Sequence, residues 1–474
     1  MKSMRILFFI LTITFAATAH AQEITVDCRQ VTGTLRPLHG INGGVLCSGE
    51  TVDLAEFWAE AEFPSTRLHD CEWPAPAVVD IHAIFPDFRN DPVDAESYRF
   101  GPTDDFLAAI HQSGTGIIYR LGESIEHTKT KHFVNPPSDP EKWAEICLHV
   151  MRHYREGWAD GFFYDIKYWE IWNEPENKPQ MWTGTDEQYF ELYDITAKKL
   201  KSAFPECRIG GPSIGGGFIP AENGGWKLSP YAEAFLNYVK THGSPLDFYS
   251  WHTYTDTPAE YAEKAKTARE HLDRLGFTAC EIHLNEWNYL PDNDWGPMLT
   301  KDGRKKEAWF YRVGSAEGAA FLAATLVVMQ DAPVDVMNYY SGDASPFGLF
   351  TEHGVSKKTF YAMKAFRRFL DTPERLAVRE ENLPPQCVAA AGMNAEKNTV
   401  SVFLANFRNS PGEMTLSLTD FPWEGDFRYE VFLVDETHDL EKIAEENGTS
   451  AHETPRIHLH VPAYSVILIR FYQP

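Results

Sequence analysis

Residues 165–174, DIKYWEIWNE, form an aromatic and aliphatic run that stops at an amide and a carboxylate, Asn173 and Glu174, with Pro175 next. The residue types are those of a strand, and the polar pair marks its end. Seven further runs have the same form: LHGINGG (38–44), STRLHD (65–70), GIIYRLGES (116–124), CRIGGPS (207–213), LDFYSWHTY (246–254), ACEIHLNEW (279–287) and VDVMNYYSGD (334–343). Between several of them the apolar spacing becomes helical. In residues 139–158, Trp143, Ile146, Cys147, Val150, Met151 and Tyr154 fall on one stripe, behind Asp139 as cap and Pro140 in the first turn. Stretches at 186–204, 231–242, 259–275 and 307–329 predict four more helices. Eight strands alternating with helices predict an α/β fold of the (β/α)8 TIM barrel type. No glycine-rich dinucleotide loop follows the first strand, which disfavours an open doubly wound sheet.

After Leu370 the pattern changes to alternating apolar and polar residues, as in TVSVFLANF (399–407), RYEVFLVDE (428–436), RIHLHVPAY (456–464) and VILIRFYQ (466–473). Residues 371–474 are therefore expected to form an accessory antiparallel β-sandwich. The strand-like EITVDCRQVTGTL (23–35) predicts that residues 22–37 join this sandwich before the chain enters a barrel spanning 38–370.

The start of the chain carries Lys2 and Arg5, an apolar run from Ile6 to Ala17, and Ala19-His20-Ala21. That order predicts a signal peptide over residues 1–21, and with it an exported, periplasmic or extracellular protein without a membrane anchor. The formal net charge of −25 repels nucleic acid and anionic membranes and excludes neither a neutral sugar nor any small substrate. The seven cysteines form no CxxC pair and there is no HExxH motif, so neither a metal nor a cofactor is expected. An odd number of cysteines leaves at least one free thiol. The aromatic share of 14% suits both cores and sugar platforms.

In a barrel of this type, functional groups stand at the C-terminal ends of the strands. Read there, the second strand offers Arg67 and His69, the fourth Asn173 and Glu174, the sixth His252 and Tyr254, and the seventh Asn285 and Glu286. Glycosidic hydrolysis needs one carboxylic acid for the leaving oxygen and one carboxylate at the anomeric carbon. Glu174 and Glu286 would face each other across the mouth at about 5 Å, the separation of a retaining mechanism. Glu170, four residues before Glu174 on the same side of the strand, should lie deeper and need a cationic or hydrogen-bonding partner.

EIWNEPEN resembles the acid/base signature of glycoside hydrolase family 39 and its clan A relatives, and LNEWNY resembles the nucleophile strand. RLH (67–69), WHTY (251–254) and FGLFTEHGVSKKTFYAMKAF (347–366) agree in order, so the resemblance covers about residues 38 to 370. The resemblance implies Glu174 as acid and then base, protonated because Trp169 and Trp172 wall it off, and Glu286 as nucleophile, kept ionised by Arg67 and Tyr254. It implies substrate contacts from Asn173, Arg67, His69, His252, Tyr254, Trp287 and Asp343. Trp73, Trp182, Trp251, Trp287 and Trp295 are the candidates for stacking on sugar rings. The family includes β-xylosidases, α-L-iduronidases and arabinose-releasing enzymes. A neutral pentoside is the favoured carbohydrate, a uronide being expected to need cations such as Arg120, Lys178 or residues 301–306. A non-catalytic sugar-binding protein is the alternative of another class.

Overall fold

The eight strand-like runs lie side by side in chain order. They are β1 (Gly40–Asn42), β2 (Ser65–Leu68), β3 (Gly116–Leu121), β4 (Tyr168–Ile171), β5 (Arg208–Ile214), β6 (Phe248–Thr255), β7 (Glu281–Tyr289) and β8 (Val336–Tyr339). All pair in parallel, and β8 pairs back to β1 to close the barrel. The computed structural model describes residues 22–473, apart from 48, 50, 73–76, 223, 409 and 451–453. The signal-peptide reading and the stacking candidate Trp73 lie outside the described residues.

The crossover helices start and stop where their end residues dictate. Pro140–Glu156 begins with the Asp139 carboxylate accepting from the Lys142 amide at 3.0 Å and ends at Gly157, whose φ of 73° suits a residue without a Cβ. Asp186–Ala203 opens on a reciprocal box between Thr185 and Gln188. The single helix expected over 307–329 is two, Gly303–Gly314 and Ala316–Val328, bent by 44°. Ser315 makes the break, because its hydroxyl accepts from the Glu317 amide and so starts a new N-terminus. Ala316–Val328 is buried on nearly every side, lying between barrel and sheet.

Of the other strands, Leu46–Cys47 pairs with Val52–Asp53 and Phe218–Pro220 with Trp226–Leu228 in two short hairpins, and nine form one sheet. Gln22–Thr34 lies inside it, antiparallel to Glu374–Glu381 and parallel to Gly412–Thr419. The antiparallel sandwich expected from the sequence thus contains a parallel pair, made possible because its two strands are distant in the chain and need no hairpin. The sheet curls over its own core of Val26, Val402, Leu404, Leu416 and Ile469. Cys387 Sγ and Met414 Sδ meet at 4.0 Å although two strands separate theirs in the pairing order. On Thr399–Asn406 the alternate residues Phe403 and Ala405 face the barrel instead. All seven cysteines are buried free thiols. Among the described residues no single helix is long and apolar enough to cross a membrane.

Candidate active site

Three departures from regular strand geometry aim side chains into the barrel mouth. Just past β4 the backbone turns left-handed at Trp172 (φ 72°) and Glu174 (φ 42°), a conformation that costs free energy for any residue with a Cβ. Between β6 and β7, Trp251 pairs with Leu284 and His252 with Glu286, which leaves Asn285 as an extra residue. Between β5 and β6, Pro212 and Ile214 pair with consecutive residues, which leaves Ser213 extra at φ 57°. Each insertion breaks the alternation of faces, so Asn285 and Glu286 both point inward and Ser213 joins them.

Arg67 on β2 organises what these residues present. It is fully buried. Its Nε donates to Glu170 at 2.6 Å, its Nη1 to Asn42 and Glu286 at 3.4 Å each, and its Nη2 to Asn173 and Ser213 at 2.6 Å each. These contacts engage all five guanidinium N–H groups. Glu170, also fully buried, accepts in addition from Asn285. It is therefore the deep ion-pair partner, and Glu174 the carboxylate that reaches the mouth. Tyr254 donates to the other oxygen of Glu286 at 2.6 Å.

His252 stands between the two carboxylates. Its Nδ1 is 2.8 Å from Glu174 and 3.6 Å from Glu286, and its Nε2 is 2.7 Å from the Ser213 hydroxyl. One oxygen of Glu174, one of Glu286 and one His252 nitrogen all lie within 4.8 Å of one another. Asn177 donates to the second oxygen of Glu174 at 3.0 Å. Burial by itself lifts the Glu174 carboxyl, but the hydrogen bond and charge of His252 outweigh it and hold Glu174 below 4.5. For Glu286 burial wins: helped by the Glu174 charge, it raises the carboxyl above 4.5 against His252, Arg67 and Tyr254. His252 loses basicity to burial and regains more from Glu286 and Glu174, ending above 6.5. His252 thus holds a proton more firmly than an ordinary imidazole does, facing Glu174. The tryptophans play no part in this. Trp169 stacks on Tyr119 and donates to Ile166, while Trp172 packs on Trp143 and Trp182 and donates to Met181, so neither walls off Glu174.

Several sequence-based assignments change. Arg67 has no donor left for a substrate, so it holds Glu286 and Asn173 rather than a sugar. Trp287 follows Glu286 on β7 and therefore faces the helix layer, where it packs on Tyr261 and Tyr339 with no exposure. Trp182 and Trp251 are equally buried, and among the described candidates only Trp295, half-buried against Tyr254, lies near the mouth. Asn173 accepts from Arg67 through its carbonyl, which turns its amide NH2 away from that partner. His69 meets Asp70 at 3.3 Å and is driven well below 6.5 by burial and by the charges of Arg67, Arg120 and His252. Asp343 accepts from Ser341 at 2.6 Å and lines a cavity of about 580 Å³ with Asp70, Glu72, Tyr340 and Glu352. Asp70 and Tyr340 line that cavity and both sense the Glu286 charge, so the cavity lies beside the carboxylate pair. Sequence reading missed Asn42, Asp70, Ser213 and Tyr340. All four stand at or near the ends of the runs CRIGGPS, LHGINGG, STRLHD and VDVMNYYSGD, and were open to the strand-end rule.

The three groups Glu174, His252 and Glu286 lie close enough to hold an ion, but the Arg67 guanidinium against Glu286 already supplies the positive charge there. Asp80, His82 and Glu123 also converge. Both Asp80 oxygens are taken, one by Arg120 and the Ser124 hydroxyl and the other by the Ser124 amide, and Glu123 is bound by His82. That cluster ties the segment after β2 to the end of β3.

Fold and mouth together define a (β/α)8 barrel with two opposed carboxylates at the C-terminal ends of β4 and β7. Residues 77–374 match the model of the glycosyl hydrolases family 39, and the chain belongs to that family. A beta-xylosidase of Geobacillus stearothermophilus is 27% identical over 266 residues, 50% of this chain and 48% of its own length. A beta-xylosidase of Caldicellulosiruptor saccharolyticus is 25% identical over 345 residues, 64% of this chain and 63% of its own. The chain thus spans about half to two thirds of these relatives. The crystal structure of a glucosidase from Croceicoccus marinus superposes with a TM-score of 0.79 at 24% identity, covering 96% of this chain and all of the other.

Proposed function

We propose that the protein is a retaining glycoside hydrolase acting on neutral glycosides, in the manner of a β-xylosidase. The carrying observation is the close approach of Glu174 and Glu286, with an oxygen of each inside the same 4.8 Å cluster. Inverting enzymes separate their carboxyls by about 6.5 to 9.5 Å to admit a water, whereas retaining ones hold them at about 5 Å. Glu286, fixed by Arg67 and Tyr254, attacks the anomeric carbon and forms a glycosyl ester. Glu174 protonates the leaving oxygen, drawing its proton across the 2.8 Å contact from His252 Nδ1. In the second half Glu174 takes a proton from the water that attacks the anomeric carbon, the bond from that carbon to the Glu286 oxygen breaks and frees Glu286, and the proton passes back to His252. The Asn173 amide is placed to bond a sugar hydroxyl beside the reacting carbon.

The charge of the cavity favours a neutral sugar over a uronide. Among its described lining residues there is no lysine or arginine, while Asp70, Glu72, Asp343 and Glu352 are there. The cations suggested for a uronide are engaged or turned elsewhere: Arg120 is buried on Asp80, Lys178 pairs with Asp186, and Arg304, Lys305 and Lys306 are exposed on Gly303–Gly314. The relatives named beta-xylosidase support the same choice. A panel of 4-nitrophenyl β-D-xyloside, α-L-arabinofuranoside and α-L-iduronide tests the reading. Hydrolysis of the xyloside with retained anomeric configuration, abolished in Glu286→Ala, is expected; silence on the whole panel or an inverted product overturns it. The reading includes export with removal of residues 1–21. Terminal sequencing of the secreted or periplasmic protein should begin at Gln22, and a cytosolic chain starting at Met1 would contradict it.

A further inference from the structure

Glu176, two residues beyond Glu174, is a third carboxylate at the mouth that the scheme above leaves unused. The two share a support. The chain leaving β5 runs through Gly215, Gly216 and Gly217. A Cβ on Gly215 would collide with Glu174 Oε1 and stand 3.4 Å from Glu176 Oε1. Both carboxylates therefore rest on one backbone position that only glycine leaves open. The Gly216 amide donates to Glu176 Oε1 at 2.7 Å, which fixes its orientation. Glu176 Oε2 is buried and has no protein partner.

The groups facing Glu176 come from several elements. Glu174 and His252 lie on the mouth side, and the phenols of Tyr189, Tyr231 and Tyr249 approach from Asp186–Ala203, Pro230–His242 and β6. The phenols of Tyr231 and Tyr249 are likewise buried without a protein partner. An ionised Glu176 in this setting has the Glu174 carboxylate as a close like charge, and two nearby carboxylates resist joint ionisation.

We infer that Glu176 is a positioning residue for the reaction: its carboxylate, braced on the same glycine backbone as Glu174, keeps the proton shared by Glu174 and His252 in that pair as pH rises. The inference rests on the assignment of Glu174 as acid and base. Burial, with the Glu174 charge added, pushes Glu176 up to about 7, so its charge develops in the range where an acid catalyst begins to fail. The direction follows from the sign of the charge. A neighbouring anion strengthens the hold of the Glu174–His252 pair on its proton, and removing that anion lets the pair lose it at lower pH.

Glu176→Gln keeps the acceptor for Gly216 and deletes the charge. With 4-nitrophenyl β-D-xyloside, the alkaline limb of kcat/KM is expected to move down by roughly one pH unit, and Glu176→Asp should restore much of it. An unmoved limb in Glu176→Gln overturns the inference. Covalent labelling of Glu286 by a 2-deoxy-2-fluoro xyloside separates the two readings. Absence of label in the wild type defeats the hydrolase assignment, whereas a labelled wild type with an unmoved limb defeats only the role of Glu176. Carbon-13 NMR titration of the glutamate carboxyls gives a second measure, independent of turnover. The Glu176 midpoint must fall in Glu174→Gln, because the interaction is reciprocal, and an unchanged midpoint overturns the inference.

Discussion

Arg67 shows how one buried cation determines what its neighbours can do. It holds Glu170 as a permanent ion-pair partner, turns the Asn173 carbonyl away from the sugar and keeps positive charge at Glu286. Arg67→Met would leave two carboxylates buried without their partner, a loss expected to cost about 3–5 kcal/mol, measurable by urea unfolding. Tyr254 gives a sharper readout on chemistry. Its hydrogen bond favours the ionised form of Glu286, so its loss should raise that carboxyl further above 4.5. In Tyr254→Phe the acid limb of kcat/KM should therefore move to higher pH, while the alkaline limb stays. These roles were partly legible in the sequence. Strand-end position marked Arg67, Asn173, Glu174, His252, Tyr254 and Glu286 without marking which of them point at substrate. That depends on which donors are already spent inside the protein, as with Arg67, and on the face a residue occupies, as with Trp287. The reversed acidities of Glu174 and Glu286 depend on His252 standing 2.8 Å from one and 3.6 Å from the other, a difference no spacing in the chain encodes.

At the scale of elements, the strands were readable because each run of β-formers ends in polar groups. The bulges were not, because Ser213 and Asn285 look like ordinary strand residues and become extra only through a neighbour's register. The break at Ser315 was hidden in a long apolar period for the same reason, since a serine caps a helix only where the chain turns. The glycine run after β5 permits a test at this scale. Gly215→Ala places a methyl where Glu174 Oε1 sits, so activity should fall at least tenfold, ~1.4 kcal/mol in the barrier, while the melting temperature changes little. The closed end of the barrel offers another. Glu281 on β7 accepts from Tyr168 on β4 and meets His283, and these outweigh its burial to hold its carboxyl at about 2. A depressed carboxylate contributes stability above its unfolded value of 4.5, and that contribution is lost as pH falls towards 2. Melting temperature should therefore fall less steeply over that window in Glu281→Gln than in the wild type.

For the molecule as a whole, the question is why the barrel carries a nine-stranded sheet at its flank. The helix Ala316–Val328 gives a physical answer. Beyond Glu317 in its first turn it is apolar on nearly every side, and a helix of that kind must be covered on both sides. The barrel covers one side, and strands Cys387–Met393, Thr399–Asn406 and Ser465–Tyr472 cover the other. Phe403 carries the same contact to the last barrel helix, Lys358–Phe369, with its ring 5.4 Å from Phe369 and 5.7 Å from Phe366. The sheet is thus part of the barrel's hydrophobic core as well as owner of its own. Phe403→Ala should then remove about 3–5 kcal/mol from a transition in which barrel and sheet unfold together, followed by near-UV circular dichroism and by glycosidase activity in parallel. If the sheet were an independent appendage, the variant would split unfolding into two transitions, with activity surviving the first.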